Sequence, residues 1–213
     1  MARAGAGDKP HFLRLWNYLD AINAGDGDAE RYRLFCQGRA RGMAEGGLSQ
    51  YPAASAIGRQ DGVRVLQVYG LAARHHGTAV ENPRQVSARR YPRQYGPAAP
   101  TFASGMRVGG QQLLISGTAA VVGHAFCHDG DAGAQLDDTL ANLHSLLRQA
   151  GLANPTLGAG SLLKIYLRDA ALAASVQARL RERIPSAPRM LMRVVDICRR
   201  KLLLEIDGEH RAD

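Results

Sequence analysis

Hydrophobic and polar positions follow their most regular pattern from residue 101 onward. Two strands are predicted near residues 101–108 and 112–121, joined by a Gly109-Gly110 turn that is typical of a β-hairpin. A leucine stripe at helical spacing predicts a helix over 131–150, and a strand is predicted at 162–167. Asp169 is placed to cap a second helix, and strands over 189–198 and 201–207 follow. The order β-β-α-β-α-β-β predicts an α+β sheet with both helices on one face.

The first hundred residues are patterned less regularly. We expect helices over 12–24 and 28–44 and strands over 53–58 and 63–72. Residues 74–100 are rich in proline, glycine and arginine and are predicted to form a long connection, which at this length is usually functional. Tyr91 and Tyr95 bracket Pro92-Arg93-Gln94, and these aromatic residues argue against disorder.

The last predicted strand carries an acid in a run of leucine and isoleucine. On a two-residue period, one face holds Leu202, Leu204 and Ile206 and the other holds Leu203, Glu205 and Asp207. An unpaired charge away from water is costly, so Glu205 has two interpretations. In the first, Glu205 lies on a solvent-exposed face or pairs with a cation such as Arg189. In the second, apolar neighbours raise the pKa of Glu205 so that it can donate a proton.

Composition places the chain among ordinary globular proteins. Its 213 residues are 46% hydrophobic and 22% charged, which suits one large domain or one domain plus part of another. No apolar run is long enough to span a membrane, and residues 1–10 lack the apolar stretch of a signal peptide. Three scattered cysteines (Cys36, Cys127 and Cys198) argue against a disulfide framework. We therefore expect a cytoplasmic protein.

The formal net charge of +8 is compatible with nucleic acid or with an anionic small substrate. No RNA-recognition, zinc-finger or helix-turn-helix pattern is present, so we expect a small-molecule partner and no nucleic acid. His124 and His128 have metal-ligand spacing without a third ligand nearby, and no nucleotide-binding glycine motif occurs, so neither a metal nor a cofactor is predicted. Ser116-Gly117-Thr118 ends a buried strand and predicts a bulge, a close backbone approach, or N–H groups offered to a ligand anion.

Several short segments in combination resemble a known family, the chorismatases. These are the chorismate-cleaving 3-hydroxybenzoate synthases and the hydrolases that form 3,4-dihydroxycyclohexadienoate. The segments are Leu15–Tyr18, Ile22-Asn23, Glu30–Arg33 with Phe35, Gly38-Arg39, Glu81–Ala88, Tyr91-Pro92, Tyr95–Pro97, and Ser116–Ala119 with Val122–His124. The element order from residue 101, with Ile115–Ala119, Ala187–Arg189 and Leu204–Ile206, resembles the RidA (YjgF) fold, which is chorismate-mutase-like. The resemblance covers about residues 12–208.

The family releases pyruvate from chorismate, and the resemblance implies roles for individual residues. Glu205 is implied to be the acid that protonates the enolpyruvyl methylene, and Arg189 to bind a substrate carboxylate. Cys198, with a small residue at Ala119 or Ala120, matches a position that steers product choice, and cysteine there resembles the 3-hydroxybenzoate-forming type. The remaining substrate-binding candidates are Tyr91, Tyr95, Gly117 and Thr118.

The chain also departs from the family's pattern. Family members are roughly half again as long, which implies that this chain is shortened at its N-terminus. Residues 1–100 are then expected to hold a partial, degenerate RidA-like domain and an active-site loop, and residues 101–213 the catalytic domain. Ala98 and Ser104 stand where the family tends to carry arginine, and Arg89, Arg90 and Arg93 are candidates to replace them.

Two other functions remain open from the residues. One is a RidA-type imine deaminase that uses Arg189 and Glu205 with a water molecule, and the other is a truncated, non-catalytic relative that binds a metabolite or a partner protein. An N-terminally shortened sheet leaves an uncovered edge and apolar surface, which predicts self-association. A homotrimer is the first expectation and a homodimer the second.

Overall fold

The computed structural model describes residues 11–48, 50–184 and 186–212. The strands are β1 His11–Asp20, β2 Ala53–Arg59, β3 Leu66–Ala73, β4 Thr78–Val80, β5 Gly105–Val108, β6 Gln112–Thr118, β7 Val121–Val122, β8 Ala125–Phe126, β9 Ser161–Leu167, β10 Arg189–Val194, β11 Asp196–Ile197 and β12 Leu204–Arg211. The α-helices are α1 Arg31–Glu45, α2 Ala132–Gln149 and α3 Ala173–Arg183.

The larger sheet, which we call the C-terminal sheet, has the order β10-β9-β12-β6-β5-β4. Both α2 and α3 pack on one face of it, and together they bury the largest apolar cluster of the described residues. That cluster includes Leu140 and Leu143 of α2, Val176 of α3, and Leu204 and Ile206 of β12. The predicted α+β arrangement with two helices on one face is therefore confirmed. Gly109 and Gly110 form the predicted hairpin turn with positive φ angles of 56° and 83°.

The smaller sheet, which we call the N-terminal sheet, has the order β11-β2-β1-β3. Helix α1 covers one face, where Leu19 and Ile22 pack against Tyr32 and Cys36. The opposite face lies against the C-terminal sheet, where Ile57 packs with Tyr166 and Val195.

The helix predicted over 12–24 is wrong, because residues 11–20 form the central strand β1. This strand is buried on both faces, by α1 on one side and by the C-terminal sheet on the other. A strand covered on both faces carries apolar residues without strict alternation, and such a run resembles a helical pattern. The helix predicted over 28–44 is confirmed as α1.

The strand predicted over 189–198 divides into two. β10 pairs in parallel with β9 in the C-terminal sheet, whereas β11 crosses to the N-terminal sheet and pairs with β2. The last strand begins at Leu204, later than the predicted 201, and continues to Arg211. Asp169 accepts a hydrogen bond from the N–H of Ala171 and so caps a single 3-10 turn that leads into α3.

The predicted long connection over 74–100 is ordered. It contains β4 and two 3-10 turns, Ala88–Arg90 and Arg93–Tyr95. Asn82 fixes its first part by donating from Nδ2 to the carbonyl oxygen of Asn142 in α2, at 2.9 Å. None of the helices in the described part of the chain combines the length and the apolar character needed to cross a membrane.

Candidate active site

Glu205 lies on the face of β12 that points away from the helices. Leu204 and Ile206 enter the core beneath α2 and α3, as the two-residue period predicts, and Glu205 points toward the N-terminal sheet. Its side chain is enclosed, and the residue is only 4% exposed. The interpretation that places Glu205 on a solvent-exposed face is therefore wrong.

A β-bulge opposite β12 makes room for this carboxyl. The pairing of β12 with β6 shifts between Ile206 and Gly208, so that Ser116 and Gly117 together oppose one residue of β12. A Cβ atom on Gly117 would lie 2.0 Å from Oε1 of Glu205. The predicted bulge and close approach at Gly117 are both confirmed, and the close neighbour is the candidate acid.

The environment of Glu205 favours its protonated form. Burial, followed by the nearby negative charge of Asp207, raises the pKa of Glu205 from 4.5 to about 8, against the opposing effects of Arg14 and a hydrogen bond from Cys198. The Cys198 thiol lies 3.8 Å from Oε2 of Glu205. Burial and the neighbouring Glu205 also raise the pKa of Cys198, so this thiol stays protonated and can donate to the carboxyl. At neutral pH the site therefore holds a carboxylic acid.

Two neighbouring chambers of one cleft share six lining residues: Tyr32, Pro100, Phe102, Gly117, Cys198 and Glu205. The inner chamber, about 400 Å³ including space open to solvent, lies beneath α1 and is lined besides by Asn17, Phe35, Cys36, Arg39, Ala54, Ser55, Ala56 and Thr101. The outer chamber, about 630 Å³ including space open to solvent, adds Gln85, Val86, Ala88, Tyr91, Ser104, Thr118, Ala119, Val121, Phe126, Arg199 and Leu202.

Arg199 closes one side of the outer chamber. Its guanidinium lies 4.8 Å from the ring centre of Tyr32 and 5.5 Å from that of Tyr95, and it donates to the carbonyl oxygen of Tyr95 at 3.1 Å. Tyr91 packs on Tyr95 with a ring separation of 5.4 Å, and burial raises the pKa of Tyr91 to about 12. Arg199 therefore connects α1 to the loop that carries both predicted tyrosines.

Arg39 supplies a second cation, in the inner chamber. It donates to the carbonyl oxygen of Thr101 and to Oδ1 of Asn17, each at 3.3 Å. Burial lowers the pKa of Arg39 to about 10, so the side chain remains charged at neutral pH. Two arginines thus flank the buried acid, one in each chamber.

Most of the residues predicted to bind substrate meet in the outer chamber. Its lining contains Tyr91, Gly117, Thr118, Ala119 and Cys198 together with Glu205. Tyr95 does not line the outer chamber, but its ring packs against that of Tyr91, which does. Ala120 is fully buried next to the chamber and does not line it.

Arg189 is not brought to the cleft within one chain. It is exposed at the start of β10 and pairs with Leu162, which in turn pairs with Glu209 of β12. Two strand spacings and four residues along β12 place the Cα atoms of Arg189 and Glu205 roughly 16 Å apart. An ion pair between Arg189 and Glu205, one of the alternatives open from the sequence, is therefore not formed in the structure.

The two histidines with metal-ligand spacing have separate partners. Nδ1 of His124 lies 3.2 Å from the Tyr95 hydroxyl, whereas Nε2 of His128 lies 2.9 Å from a carboxylate oxygen of Asp138. Across residues 11–48, 50–184 and 186–212, no three His, Cys, Asp or Glu side chains are grouped so that they could hold a metal ion.

Arg39 and Arg199 were not predicted as cleft residues, and the buried ion pair beneath Glu205 was not predicted either. Arg14 of β1 donates to Asp207 of β12 at 2.9 Å, and both side chains are fully buried. The two partners are 193 positions apart, so no local pattern links them. A weaker signal was present in the sequence, since Asp207 follows Glu205 on the same predicted strand face.

Two proteins of Streptomyces hygroscopicus are similar to most of this chain. A 3-hydroxybenzoate synthase from Streptomyces hygroscopicus is 37% identical over 214 residues, covering 92% of this chain and 62% of the relative. A chorismatase from the same organism is 34% identical, covering 93% and 61%. The chain is similar to chorismatases. A family model described as "Chorismatase FkbO/Hyg5-like, N-terminal" matches residues 2–72.

Solved structures show the same similarity. A crystal structure of a chorismatase superposes with a TM-score of 0.86 at 34% identity, covering 95% of this chain and 65% of that one. A candidate endoribonuclease from Thermotoga maritima shares the fold alone, with a TM-score of 0.50, 14% identity, and coverage of 64% of this chain and 98% of that one. The predicted resemblance to chorismatases and the predicted fold class are confirmed. The chain spans 62% and 61% of the two curated relatives.

Proposed function

We propose that this protein cleaves the enolpyruvyl ether of chorismate and releases pyruvate and 3-hydroxybenzoate, or a dihydroxycyclohexadienoate. One observation carries the proposal: a buried carboxyl lines two neighbouring chambers, each of which also holds an arginine. Burial raises the pKa of this carboxyl, so it can hold a proton at neutral pH. An enol ether needs a proton on its methylene carbon before its carbon–oxygen bond can break, and chorismate carries two carboxylates. The two curated chorismatase relatives support the same chemistry.

In the proposed reaction Glu205 gives its proton to the enolpyruvyl methylene, which becomes a methyl group. The ether carbon then carries oxocarbenium character, and the ether bond can break. Chorismate has the combined atoms of pyruvate and 3-hydroxybenzoate, so that route consumes no water. The dihydroxycyclohexadienoate route consumes one water molecule. In both routes a proton must return to Glu205 before the next turnover.

The substrate carboxylates are proposed to bind Arg39 in the inner chamber and Arg199 in the outer one. Arginine forms two parallel hydrogen bonds to a carboxylate, which fixes orientation as well as charge. The amide groups of Gly117 and Thr118 and the Tyr91 hydroxyl are proposed to complete substrate binding, with Tyr95 supporting Tyr91. Arg189 remains a candidate ligand only if a neighbouring copy of the chain brings it to a cleft.

Cys198 and Ala119 are proposed to influence which product forms. Both line the outer chamber, and the thiol lies beside the Glu205 carboxyl. Ala120 lies one residue further from the chamber and is proposed to act only by keeping that wall small. The presence of cysteine favours 3-hydroxybenzoate, because cysteine resembles the form of the family that makes it.

Chorismate turnover tests this function directly. Pyruvate is measured with lactate dehydrogenase and NADH, and the aromatic product is separated by chromatography. Equal amounts of pyruvate and 3-hydroxybenzoate are expected, and Glu205→Gln, which keeps the side-chain volume but has no acidic proton, should abolish both. Absence of pyruvate over many enzyme equivalents would refute the proposal.

The same preparation separates the two alternatives. A 2-imino acid generated in place by an amino-acid oxidase reports imine deaminase activity. Chorismate-dependent thermal stabilisation without turnover indicates a protein that binds a metabolite and does not transform it.

Self-association belongs to this proposal as well. Leu66, Val68 and Leu71 of the edge strand β3 are 54%, 44% and 46% exposed, and Leu191 of the edge strand β10 is 53% exposed. Exposed apolar edges of this kind favour pairing with another chain. A homotrimer is proposed first and a homodimer second.

A further inference from the structure

Asp207 is a second acid on the same face of β12, two residues beyond Glu205. It is fully buried between the two sheets. Oδ2 of Asp207 accepts from Arg14 at 2.9 Å, from the Ser55 hydroxyl at 2.6 Å and from the Tyr166 hydroxyl at 3.2 Å. Three hydrogen-bond donors, one of them a guanidinium, thus converge on this one carboxyl oxygen.

The other oxygen of Asp207 is less well compensated. Among the described residues, Oδ1 has no hydrogen-bond partner, and its neighbouring cation is Lys164, with Nζ at 3.7 Å. A charge in a dry region acts over a longer distance than one in water. Part of the negative potential of Asp207 therefore extends along the strand face toward Glu205.

Asp207 also pairs with Arg14, a fully buried cation. Arg14 directs Nη1 to the carbonyl oxygen of Leu15 at 2.8 Å, and Nη2 to Ser55 at 2.6 Å and to Asp207. Without Asp207, the Arg14 guanidinium would be an unpaired positive charge beside Glu205 and would favour the ionised form of that acid.

We propose that Asp207 is the positioning residue for the catalytic proton: its buried carboxylate, fixed by Arg14, Ser55 and Tyr166, keeps the proton on Glu205 at neutral pH. The identification of that proton as catalytic rests on the proposed function. Asp207 does not line either chamber, so it acts on the substrate only through Glu205.

The other charged and titratable groups around Glu205 do not replace this role. Those facing it from the surrounding elements are Cys198 beside it, Arg14 beneath it, Tyr32, Cys36 and Arg39 of α1, Tyr91 of the loop over the outer chamber, and Arg199. The cations among them favour ionisation of Glu205, whereas the phenols and thiols are neutral near pH 7. None of these groups is an anion, so the negative charge that favours the protonated form of Glu205 is that of Asp207.

The test measures the protonation of Glu205 directly, without substrate. Protein labelled with carboxyl-¹³C glutamate is titrated by NMR, and the Glu205 signal is assigned by its loss in Glu205→Gln. Asp207→Asn should lower the Glu205 midpoint by about one pH unit or more. Asp137→Asn removes an equal charge from the surface of α2, where Arg179 and Arg183 pair with it, and should leave the midpoint unchanged.

Asp207→Asn leaves Arg14 buried without its partner and can prevent folding. The double variant Arg14→Gln with Asp207→Asn removes both charges and leaves two groups that can hydrogen-bond. Its midpoint should still lie below that of the wild type, since the effect of Asp207 on Glu205 exceeds that of Arg14. A folded variant of either kind whose Glu205 midpoint equals the wild-type value overturns the proposal.

The outcome is independent of the proposed reaction. A lowered midpoint in a protein that makes no pyruvate supports Asp207 and refutes the chorismatase function. An unchanged midpoint in an active protein does the reverse. If the midpoint is lowered and the protein releases pyruvate, the alkaline limb of the kcat profile should move to lower pH together with the midpoint. A purely structural role of Asp207 would not cause this shift.

Discussion

At the scale of single residues, the protonation of Glu205 sets the pH range of the proposed reaction. Burial and Asp207 raise the pKa of Glu205 to about 8, so the acid form predominates at pH 7 and decreases progressively above pH 8. We predict that kcat for chorismate is constant below that value and falls about tenfold per pH unit above it. Steady-state pyruvate release between pH 6 and 10 checks this, and a rate that rises steadily to pH 10 would show that another group supplies the proton.

The same pKa shift makes Glu205 a source of instability. Its folded-state pKa lies above the ordinary value of 4.5, so ionising it costs more in the folded state than in the unfolded one. The cost is absent below pH 4.5, grows as the pH rises to about 8, and is then constant. We predict that Glu205→Gln is more stable than the wild type at pH 9, by on the order of 4 kcal/mol, and equally stable at pH 4. Urea unfolding at the two pH values measures the difference, and a variant less stable at pH 9 would contradict it.

At the scale of secondary-structure elements, the bulge in β6 places the acid. Gly117→Ala would put a Cβ atom 2.0 Å from Oε1 of Glu205, and the enclosed carboxyl has little room to move away. We predict a loss of kcat of at least tenfold and a destabilisation of about 1–3 kcal/mol. Gly38→Ala in α1 is the matched control, because its added Cβ would meet nothing within 4 Å beyond its chain neighbours and its own helix backbone, and it should retain activity and gain stability. Full activity in Gly117→Ala would mean that the Glu205 carboxyl does not need this position.

Elements were predictable from the sequence wherever a single face is buried. Helix α2 and strand β12 each carry one apolar face, and both were predicted with the correct type and facing. Strand β1 was not, because α1 and the C-terminal sheet bury both of its faces and remove the alternation. The division of residues 189–197 between two sheets was also not predictable, since it depends on a pairing with β2 that no local pattern records.

At the scale of the whole molecule, the reactive residues of the candidate site were easier to predict from the sequence than the buried residues that surround them. The acid at Glu205 and the glycine at Gly117 could be identified because each is unusual in its own segment, whereas Tyr91 was implied by the resemblance to chorismatases. Arg14 and Asp207 could not, because the contact joins β1 to β12 and exists only once the two sheets face each other. Arg189 was expected at the site and instead lies on an exposed edge of the same sheet.

The exposed edges lead to a prediction on assembly. We predict a homotrimer of about 69 kDa, from three chains of 22.9 kDa, with a homodimer as the second expectation. Size exclusion coupled to light scattering at micromolar concentration measures the mass. In an assembly that brings Arg189 to a neighbouring cleft, Arg189→Lys should raise KM about tenfold, because lysine lacks the planar fork. A mass near 23 kDa with an unchanged KM would rule out both the assembly and a role of Arg189 in binding.

The central claim is that Glu205 transfers a proton to the enolpyruvyl methylene. Its most direct test is chorismate turnover in D₂O, with the pyruvate reduced to lactate as it forms and analysed by mass spectrometry. Glu205 exchanges its proton with solvent between turnovers, so the account predicts one deuterium in each methyl group, and no pyruvate from Glu205→Gln. Pyruvate without deuterium, or Glu205→Gln turning over at the wild-type rate, would contradict the account.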